Sequence, residues 1–288
     1  MKTVFFSFPG NEELSLNLIK NQEGELGEFE LRNFPDGETY IRILSDVNNR
    51  TTAIVCSLNQ PDEKLVQVFL LAKTLKSLGA KKVILISPYL AYMRQDKRFK
   101  SGEGLSSHYV AQLISACVDE LITMDPHLHR ISNLSEIYTI PTKVVHAAEH
   151  IALWIKDHVP NALLIGPDSE SEQWVSKVAK QAGAEYTVLS KHRSGDKQVE
   201  VSVPHVENYK DHTPVLIDDI ISTGRTMIET LLHLKHLNMK PAVCIAIHAV
   251  FAGNSYKELQ QSGALKIVSC NTIKHDSNVI DISELLLV

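Results

Sequence analysis

The chain has 288 residues, 44% of them hydrophobic and 22% charged, which supplies material for a core and excludes a disordered polymer. At roughly 150 residues per domain it has room for two domains or one large α/β domain. Its formal net charge of −5 leaves no overall positive field to hold a nucleic acid or an anionic membrane, so any polyanion site must be local.

At the N-terminus, Met1 to Phe6 reaches Pro9-Gly10 before an apolar signal core could form, so no secretory signal is expected. The longest apolar stretch, residues 242–253, contains His248 and is too short to span a bilayer. Cys56, Cys117, Cys244 and Cys270 each sit in an apolar run and form no CxxC pair. They read as buried free thiols in a reducing compartment, and the cytoplasm is the expected location.

In chain order, residues 29–44 predict a hairpin turning at Phe34-Pro35-Asp36-Gly37-Glu38, with Asp36-Gly37 as the turn chemistry. Residues 52–57 read as a buried strand. A helix over 64–78 follows, with Leu65, Phe69, Ala72, Leu75 and Leu78 on one face and Gly79 closing it. Residues 82–87 are a second buried strand, completing the strand–helix–strand unit of a parallel sheet. The connection over 88–104 is long, and such loops in compact domains are usually functional. A helix over 105–117, with Leu105, Tyr109, Leu113 and Cys117 in register, and a strand over 121–124 complete the first half.

The second half repeats the style. Helices are expected over 147–158, 169–181 and 226–238, the last with Ile228, Leu231, Leu232 and Leu234 as its apolar residues. Strands are expected over 162–166, 186–189, 214–217, 242–250 and 265–269. The apolar tail, 279–287, is expected to dock. The fold class is α/β: two similar domains, 1–143 and 144–288, each a mainly parallel sheet flanked by helices.

The strongest chemical signal is Val215-Leu216-Ile217-Asp218-Asp219-Ile220-Ile221-Ser222-Thr223-Gly224-Arg225-Thr226. An apolar strand runs into two acids, then a Thr-Gly-x-Thr turn, then a helix. Backbone N–H groups and hydroxyls at a helix N-terminus make a phosphate cradle. The GxxxxGK[ST] spacing of a Walker loop is absent. Acids beside such a cradle accept hydrogen bonds from sugar hydroxyls or hold hydrated Mg²⁺, so the pair of features suits a ribose 5-phosphate group. A second local feature is basic: Arg94, Lys97, Arg98 and Lys100 share one loop, and arginine forks suit triphosphate oxygens.

The segment 215–226 resembles the phosphoribosyl-binding loop of type I phosphoribosyltransferases and of ribose-phosphate pyrophosphokinases, which make phosphoribosyl diphosphate (PRPP). The first half is similar to the latter. Phe34-Pro35-Asp36-Gly37-Glu38 resembles their F-x-D-G-E hairpin, which clasps adenine. The run from Pro88 to Lys97 resembles their P-Y-x-x-Y-x-R-Q-D nucleotide loop. Met124-Asp125-Pro126-His127 resembles their D-x-H element, whose histidine helps hold metal near the ATP phosphates. The length and the sequence around Ile220 to Gly224 look like the shorter, archaeal-type branch.

The resemblance implies two phosphoribosyltransferase-like domains and transfer of diphosphate from Mg-ATP to ribose 5-phosphate, giving AMP and PRPP. It implies ATP contacts from Phe34, Asp36, Glu38, Arg94 and Gln95, and ribose 5-phosphate contacts from Asp218, Asp219, Ser222, Thr223, Gly224, Arg225 and Thr226. Metal contacts fall to His127 and Asp168. Lys191 and Arg193, in Ser190-Lys191-His192-Arg193, resemble the K-x-R at the base of a flexible catalytic loop that continues into Ser194-Gly195-Asp196. The family also implies a homo-oligomer whose ATP site is shared between subunits, with no nucleic-acid or membrane partner.

Two departures stand out. The family's P-D-x-G-type loop reads here Pro167-Asp168-Ser169-Glu170-Ser171-Glu172, without the glycine, and Gly102-Glu103 stands where many longer enzymes carry Arg-Glu. Allosteric behaviour is therefore not carried over. Two other readings stay open at this point. A phosphoribosyltransferase needs the loop after Asp219 but has no use for Phe34 to Glu38 or Arg94-Gln95. A non-catalytic regulatory homologue would have no use for both Lys191 and Arg193.

Overall fold

The structure, a computed structural model, describes residues 2–128, 130–168, 171–194, 198–202 and 206–288, the side chains of 190–202 and of 207 excepted. Contacts divide the chain into two units. One holds Met1–His146 with Ser283–Val288, and the other holds Ala147–Ile282.

In the first unit the elements are β1 (Val4–Ser7), α1 (Glu12–Gln22), β2 (Glu25–Leu26), β3 (Phe29–Asn33), β4 (Thr39–Ile43), β5 (Thr51–Val55), α2 (Pro61–Ser77), β6 (Lys82–Ser87), α3 (Ser106–Ser115), β7 (Glu120–Met124) and β8 (Thr142–Val145). Six strands form a sheet in the order β2-β1-β5-β6-β7-β8, every neighbouring pair parallel. Consecutive residues of β5 and β6 are buried, as in parallel strands covered on both faces. The β3–β4 hairpin is a separate antiparallel ribbon.

In the second unit the elements are α4 (Ala148–His158), β9 (Ala162–Gly166), α5 (Glu172–Ala182), β10 (Glu185–Val188), β11 (Ser190–Ser194), β12 (Gln198–Ser202), β13 (Thr213–Ile221), α6 (Arg225–His236), β14 (Val243–Ala249), α7 (Ser255–Gln261), β15 (Lys266–Cys270) and β16 (Asn278–Ile280). The sheet order is β10-β9-β13-β14-β15-β16, again all parallel, and β11–β12 is a separate antiparallel ribbon. The two sheets share one topology, which bears out the expectation of two similar α/β units.

Several local expectations need correction. In α2 the buried stripe is Leu65, Val68, Leu71, Ala72 and Leu75, while Leu78 lies past the helix end and is exposed. In α3 the expected face is largely solvent-facing: Tyr109 is 53% and Leu113 40% exposed. The buried face is Ser107, Ala111 and Ile114. Small residues let a helix approach its neighbours closely, and apolar spacing alone does not rank that stripe against a bulkier one. In α6, Met227, Thr230, Leu231 and Leu234 are buried and Leu232 is exposed. The expected helix over 169–181 begins at Glu172 among the described residues.

The apolar tail docks as expected. Ile282 and Leu286 are buried, the Val288 N–H donates to Gln22 Oε1 (2.6 Å), and Lys143 Nζ donates to the Leu287 carbonyl (2.7 Å). All four cysteines are buried free thiols. Burial pushes the Cys56 and Cys244 thiols up to about 12, which leaves them unreactive.

Candidate active site

In a parallel sheet with this strand order, the crossovers leave in opposite directions from one strand pair, opening a crevice beyond its carboxyl ends. In the second unit that pair is β9 and β13. Their pairing stops at Leu216↔Ile165, whereas β13 stays paired with β14 through Asp218↔Ala246 to Ile221↔Ala249. The expected strand over 214–217 is thus too short. Aspartate is disfavoured in strands, so propensity ends the element at Ile217, but the β14 ladder carries it on to Ile221. Asp218 and Asp219 therefore sit on β13 beyond the point where β9 has let go.

Asp168 follows β9 on the same crevice. The Ser171 N–H donates to Asp168 Oδ1 (3.1 Å) and the Ser171 hydroxyl donates to the Asp168 carbonyl (2.7 Å). Ser171 Oγ also lies 2.7 Å from where a Cβ on Gly166 would be, so a side chain there would push Ser171 aside. The Asp219 N–H donates to Asp218 Oδ1 (2.9 Å). Burial, with Asp219 alongside and Asp168 nearby, holds the Asp218 carboxyl well above the usual carboxylate range.

The loop after β13 is clamped from β14. The Phe251 N–H donates to the Ile221 carbonyl (2.8 Å) and the Ala252 N–H to the Ser222 carbonyl (3.0 Å). Gly224 takes φ +66 and caps α6, with Leu259 packed where its Cβ would be. The first backbone bond into the helix is Ile228 N–H to the Gly224 carbonyl (2.9 Å), which leaves the N–H groups of Arg225, Thr226 and Met227 without helical acceptors. Thr223 and Arg225 are exposed, Ser222 and Thr226 half-buried. Exposed hydroxyls and uncommitted N–H groups at a helix N-terminus form an anion cradle.

The corresponding crevice of the first unit, between β1 and β5, is filled by the chain itself. Asn11 is buried, with its Oδ1 accepting the Ser57 N–H (3.1 Å). Lys64 Nζ donates to the Ser57 carbonyl and to Asn59 Oδ1, both at 2.7 Å. The nucleotide candidates lie instead beyond β6 and β7. Arg94 is exposed on the long loop. Gln95 is held by Ser106 Oγ at its Oε1 (2.8 Å) and by Ser107 Oγ at its carbonyl (3.0 Å). Tyr92, at φ +64, donates its hydroxyl to Asp62. Asp96 is bonded by Arg130, at 3.0 Å from Nη1 to Oδ1.

His127 is half-buried, three residues beyond β7. Asp125, at φ +33, hydrogen-bonds His146 Nδ1 (2.6 Å) through its carboxylate and Val145 through its N–H (3.0 Å). In the hairpin, Phe34 N–H donates to the Glu38 carbonyl (2.7 Å), Gly37 takes φ +93, and Glu38 N–H donates to Asp36 Oδ1 (3.2 Å). Phe34 is 40% exposed, edge-on to Tyr40 (5.8 Å), with the Arg32 guanidinium 5.0 Å from its ring. Among the described residues, the hydrogen bonds of Phe34, Asp36 and Glu38 stay within the hairpin.

Lys191 and Arg193 lie on β11, opposite Val201 and Val199 of β12. Gly195, Asp196, Ser169 and Glu170 lie outside the described residues. The structure thus brings Asp168, Asp218, Asp219 and the Ser222–Thr226 cradle to one sheet edge, and Arg94, Gln95 and His127 to the ends of neighbouring strands in the other unit. Sequence reasoning passed over Phe251, His146 and Arg130, whereas Ser171 stood out as a hydroxyl donor beside the missing glycine, and it does donate to Asp168.

The chain matches the family model described as the N-terminal domain of ribose phosphate pyrophosphokinase over residues 3–117, and the phosphoribosyl transferase domain over residues 133–285. It is 34% identical to the ribose-phosphate pyrophosphokinase of Saccharolobus solfataricus over 86% of each chain. It is 31% identical to that of Pyrococcus abyssi over 100% of this chain and 98% of the relative. Its fold is like that of phosphoribosylpyrophosphate synthetase from Mycobacterium smegmatis, with a TM-score of 0.84 at 23% identity, covering 97% of this chain and 94% of the other. With both family domains matched in order and relatives aligned from end to end, the chain belongs to the ribose-phosphate pyrophosphokinase family, enzymes that transfer diphosphate groups.

Proposed function

We propose how the residues of this chain divide the reaction of its family, transfer of the β,γ-diphosphate of ATP to the C1 hydroxyl of ribose 5-phosphate, giving AMP and PRPP. The C1 oxygen attacks the β-phosphorus, the bond from that phosphorus to the AMP oxygen breaks, and the C1 hydroxyl proton is released. The observation that carries the reading is the second-unit sheet edge, where β13 carries an acid pair near its end and runs into a phosphate cradle. Thr223, Gly224 and Thr226 seat the 5-phosphate, with Ser222 and Arg225 lining the loop. Asp218 and Asp219 read the ribose hydroxyls, directly or through a cation. Phe34, Asp36, Glu38, Arg94 and Gln95 place the nucleotide.

Mg²⁺ is the cofactor in this reading. Among the described residues no group of three or more His, Cys, Asp or Glu side chains forms a metal centre by itself. The oxygen donors and the mutual repulsion of Asp218, Asp219 and Asp168 nevertheless suit a hydrated cation that completes its shell with substrate oxygens. Asp168 in the second unit and His127 in the first are each metal contacts in this reading, and bound metal would neutralise charge on the diphosphate. Lys191 and Arg193 stabilise charge on the transferring group, so the protein's part is mostly positioning and electrostatics. A homo-oligomer in which the Phe34 hairpin reaches a neighbour's ATP is the arrangement that gives the exposed ring a cover. Among the described residues no helix is long and apolar enough to cross a membrane, and a cytoplasmic location is part of the reading.

Calorimetry tests the division. Asp219→Asn should weaken ribose 5-phosphate while leaving ATP nearly intact, and Arg94→Ala the reverse. Equal loss of both ligands in either variant contradicts it.

A further inference from the structure

The nucleotide loop and the segment that carries His127 are joined by an ion pair between Asp96 and Arg130. The Asp96 side chain is 4% exposed. Its carboxylate accepts Arg130 Nη1 at 3.0 Å on Oδ1 and 3.3 Å on Oδ2, and the Arg130 backbone N–H at 3.3 Å on Oδ2. Arg130 also brings its guanidinium to 5.6 Å from the Phe99 ring, and Lys97 Nζ lies 5.0 Å from the same ring. Further along, the Phe99 and Lys100 N–H groups donate to Glu103 Oε2 (2.7 and 3.0 Å), and Arg98 Nε donates to the Glu103 carbonyl (2.9 Å). The exposed stretch 97–103 is thereby folded back on itself and fastened at Arg130.

We propose that Arg130 is a positioning residue for ATP, acting through Asp96. The inference rests on the reading that Arg94 and Gln95 contact the nucleotide and that His127 serves the metal at its phosphates. Asp96 directly follows Gln95 and lies two residues from Arg94. Arg130 lies three residues from His127, a separation of at most roughly 10 Å along the chain. A pair holding residue 96 to residue 130 therefore limits how far the two phosphate-facing groups can drift apart before ATP arrives. Such preorganisation spares binding energy that would otherwise order the loop. A buried carboxylate deprived of its charge partner seeks water, so loss of Arg130 should release the loop rather than leave it in place. Lysine offers a point charge without the fork, so it should replace Arg130 only in part.

The experiment measures ATP and ribose 5-phosphate separately, by calorimetry and by steady-state kinetics. The proteins are wild type, Arg130→Ala, Arg130→Lys, Asp96→Asn, the double variant Asp96→Asn/Arg130→Ala, and Arg94→Ala. Arg42→Ala, which removes a surface pair with Glu30 (3.5 Å), controls for loss of an exposed ion pair. Arg130→Ala should weaken ATP about tenfold, with ribose 5-phosphate changed by less than about twofold. Arg130→Lys should fall between it and wild type, and the double variant should be no worse than the worse single. If either variant proves poorly folded, the Lys and Asn variants carry the same ligand comparison.

Equal weakening of both ligands by Arg130→Ala would reduce the pair to a general structural support and overturn the proposal. Additive losses in the double variant would show Arg130 acting on ATP by itself, and would overturn the route through Asp96. Unchanged ATP affinity in Arg130→Ala, with weakened affinity in Arg94→Ala, defeats this inference alone. Unchanged affinity in Arg94→Ala defeats the nucleotide assignment and the inference together.

Discussion

Ser171 holds Asp168 at two points, its N–H on the carboxylate (3.1 Å) and its hydroxyl on the carbonyl (2.7 Å). These bonds tie Ser171 back to Asp168 beyond β9. The prediction is that Ser171→Ala destabilises the protein by about 1 kcal/mol, the usual worth of such a bond. It should also weaken ribose 5-phosphate several-fold in the presence of Mg²⁺, because Asp168 is a metal contact in this reading. Unchanged ribose 5-phosphate affinity would show that Asp168 is not held for that ligand.

Asp218 sits in a buried, like-charged setting, so its carboxyl is held well above the ordinary value. A carboxyl with a raised folded pKa contributes stability that is full below the unfolded value, about 4, and is lost as pH rises through the folded value. Asp218→Asn removes that loss. The variant should therefore match wild type near pH 4 and exceed it at neutral pH. Thermal melts across pH check this; a variant less stable than wild type at pH 7 contradicts it. Added Mg²⁺ with ribose 5-phosphate should narrow the gap by stabilising wild type more.

Lys191→Ala should lower turnover at least about a hundredfold with little change in either KM, as for a charge acting on the transferring group. Near-normal turnover would remove Lys191 from the mechanism.

Gly224 is required by its φ of +66 and by Leu259, whose Cδ1 lies 3.2 Å from the position of a Cβ. Gly224→Ala should cost about 1–3 kcal/mol of stability, the usual price of a strained backbone residue. It should also weaken ribose 5-phosphate, because the cradle's N–H groups turn with the residue. Melts and calorimetry together test it, and a stable variant that binds normally refutes the cradle.

The cradle was legible because its chemistry is local: an apolar run, two acids, and small hydroxyl and glycine residues at a helix start. The parallel α/β architecture was legible because buried strands are continuous apolar runs. The extent of β13 was not, since two aspartates end any propensity-based strand while pairing with β14 carries it through them. The buried face of α3 was missed because Ser107 and Ala111 carry little apolar signal. Arg130 and Asp96 are 34 residues apart, and nothing in either neighbourhood announces the other. The filled crevice of the first unit, closed by Asn11 and Lys64, likewise depends on pairing that only the fold supplies.

The shared-site arrangement predicts complementation. Phe34→Ala and Lys191→Ala, each nearly inactive, should regain a fraction of wild-type activity when their subunits exchange, because some mixed interfaces pair an intact hairpin with an intact Lys191. With exchange shown by tagged pull-down, no recovery would confine each site to one chain.

Tracing the transferred group is the most direct test of the whole account. Purified protein is incubated with Mg²⁺, ribose 5-phosphate and ATP labelled on the γ-phosphorus, and the products are separated. Diphosphate transfer predicts that the label moves entirely into PRPP, in step with unlabelled AMP, and that no ADP forms. Label in a ribose bisphosphate alongside ADP, or no transfer without an added nucleobase, would contradict it.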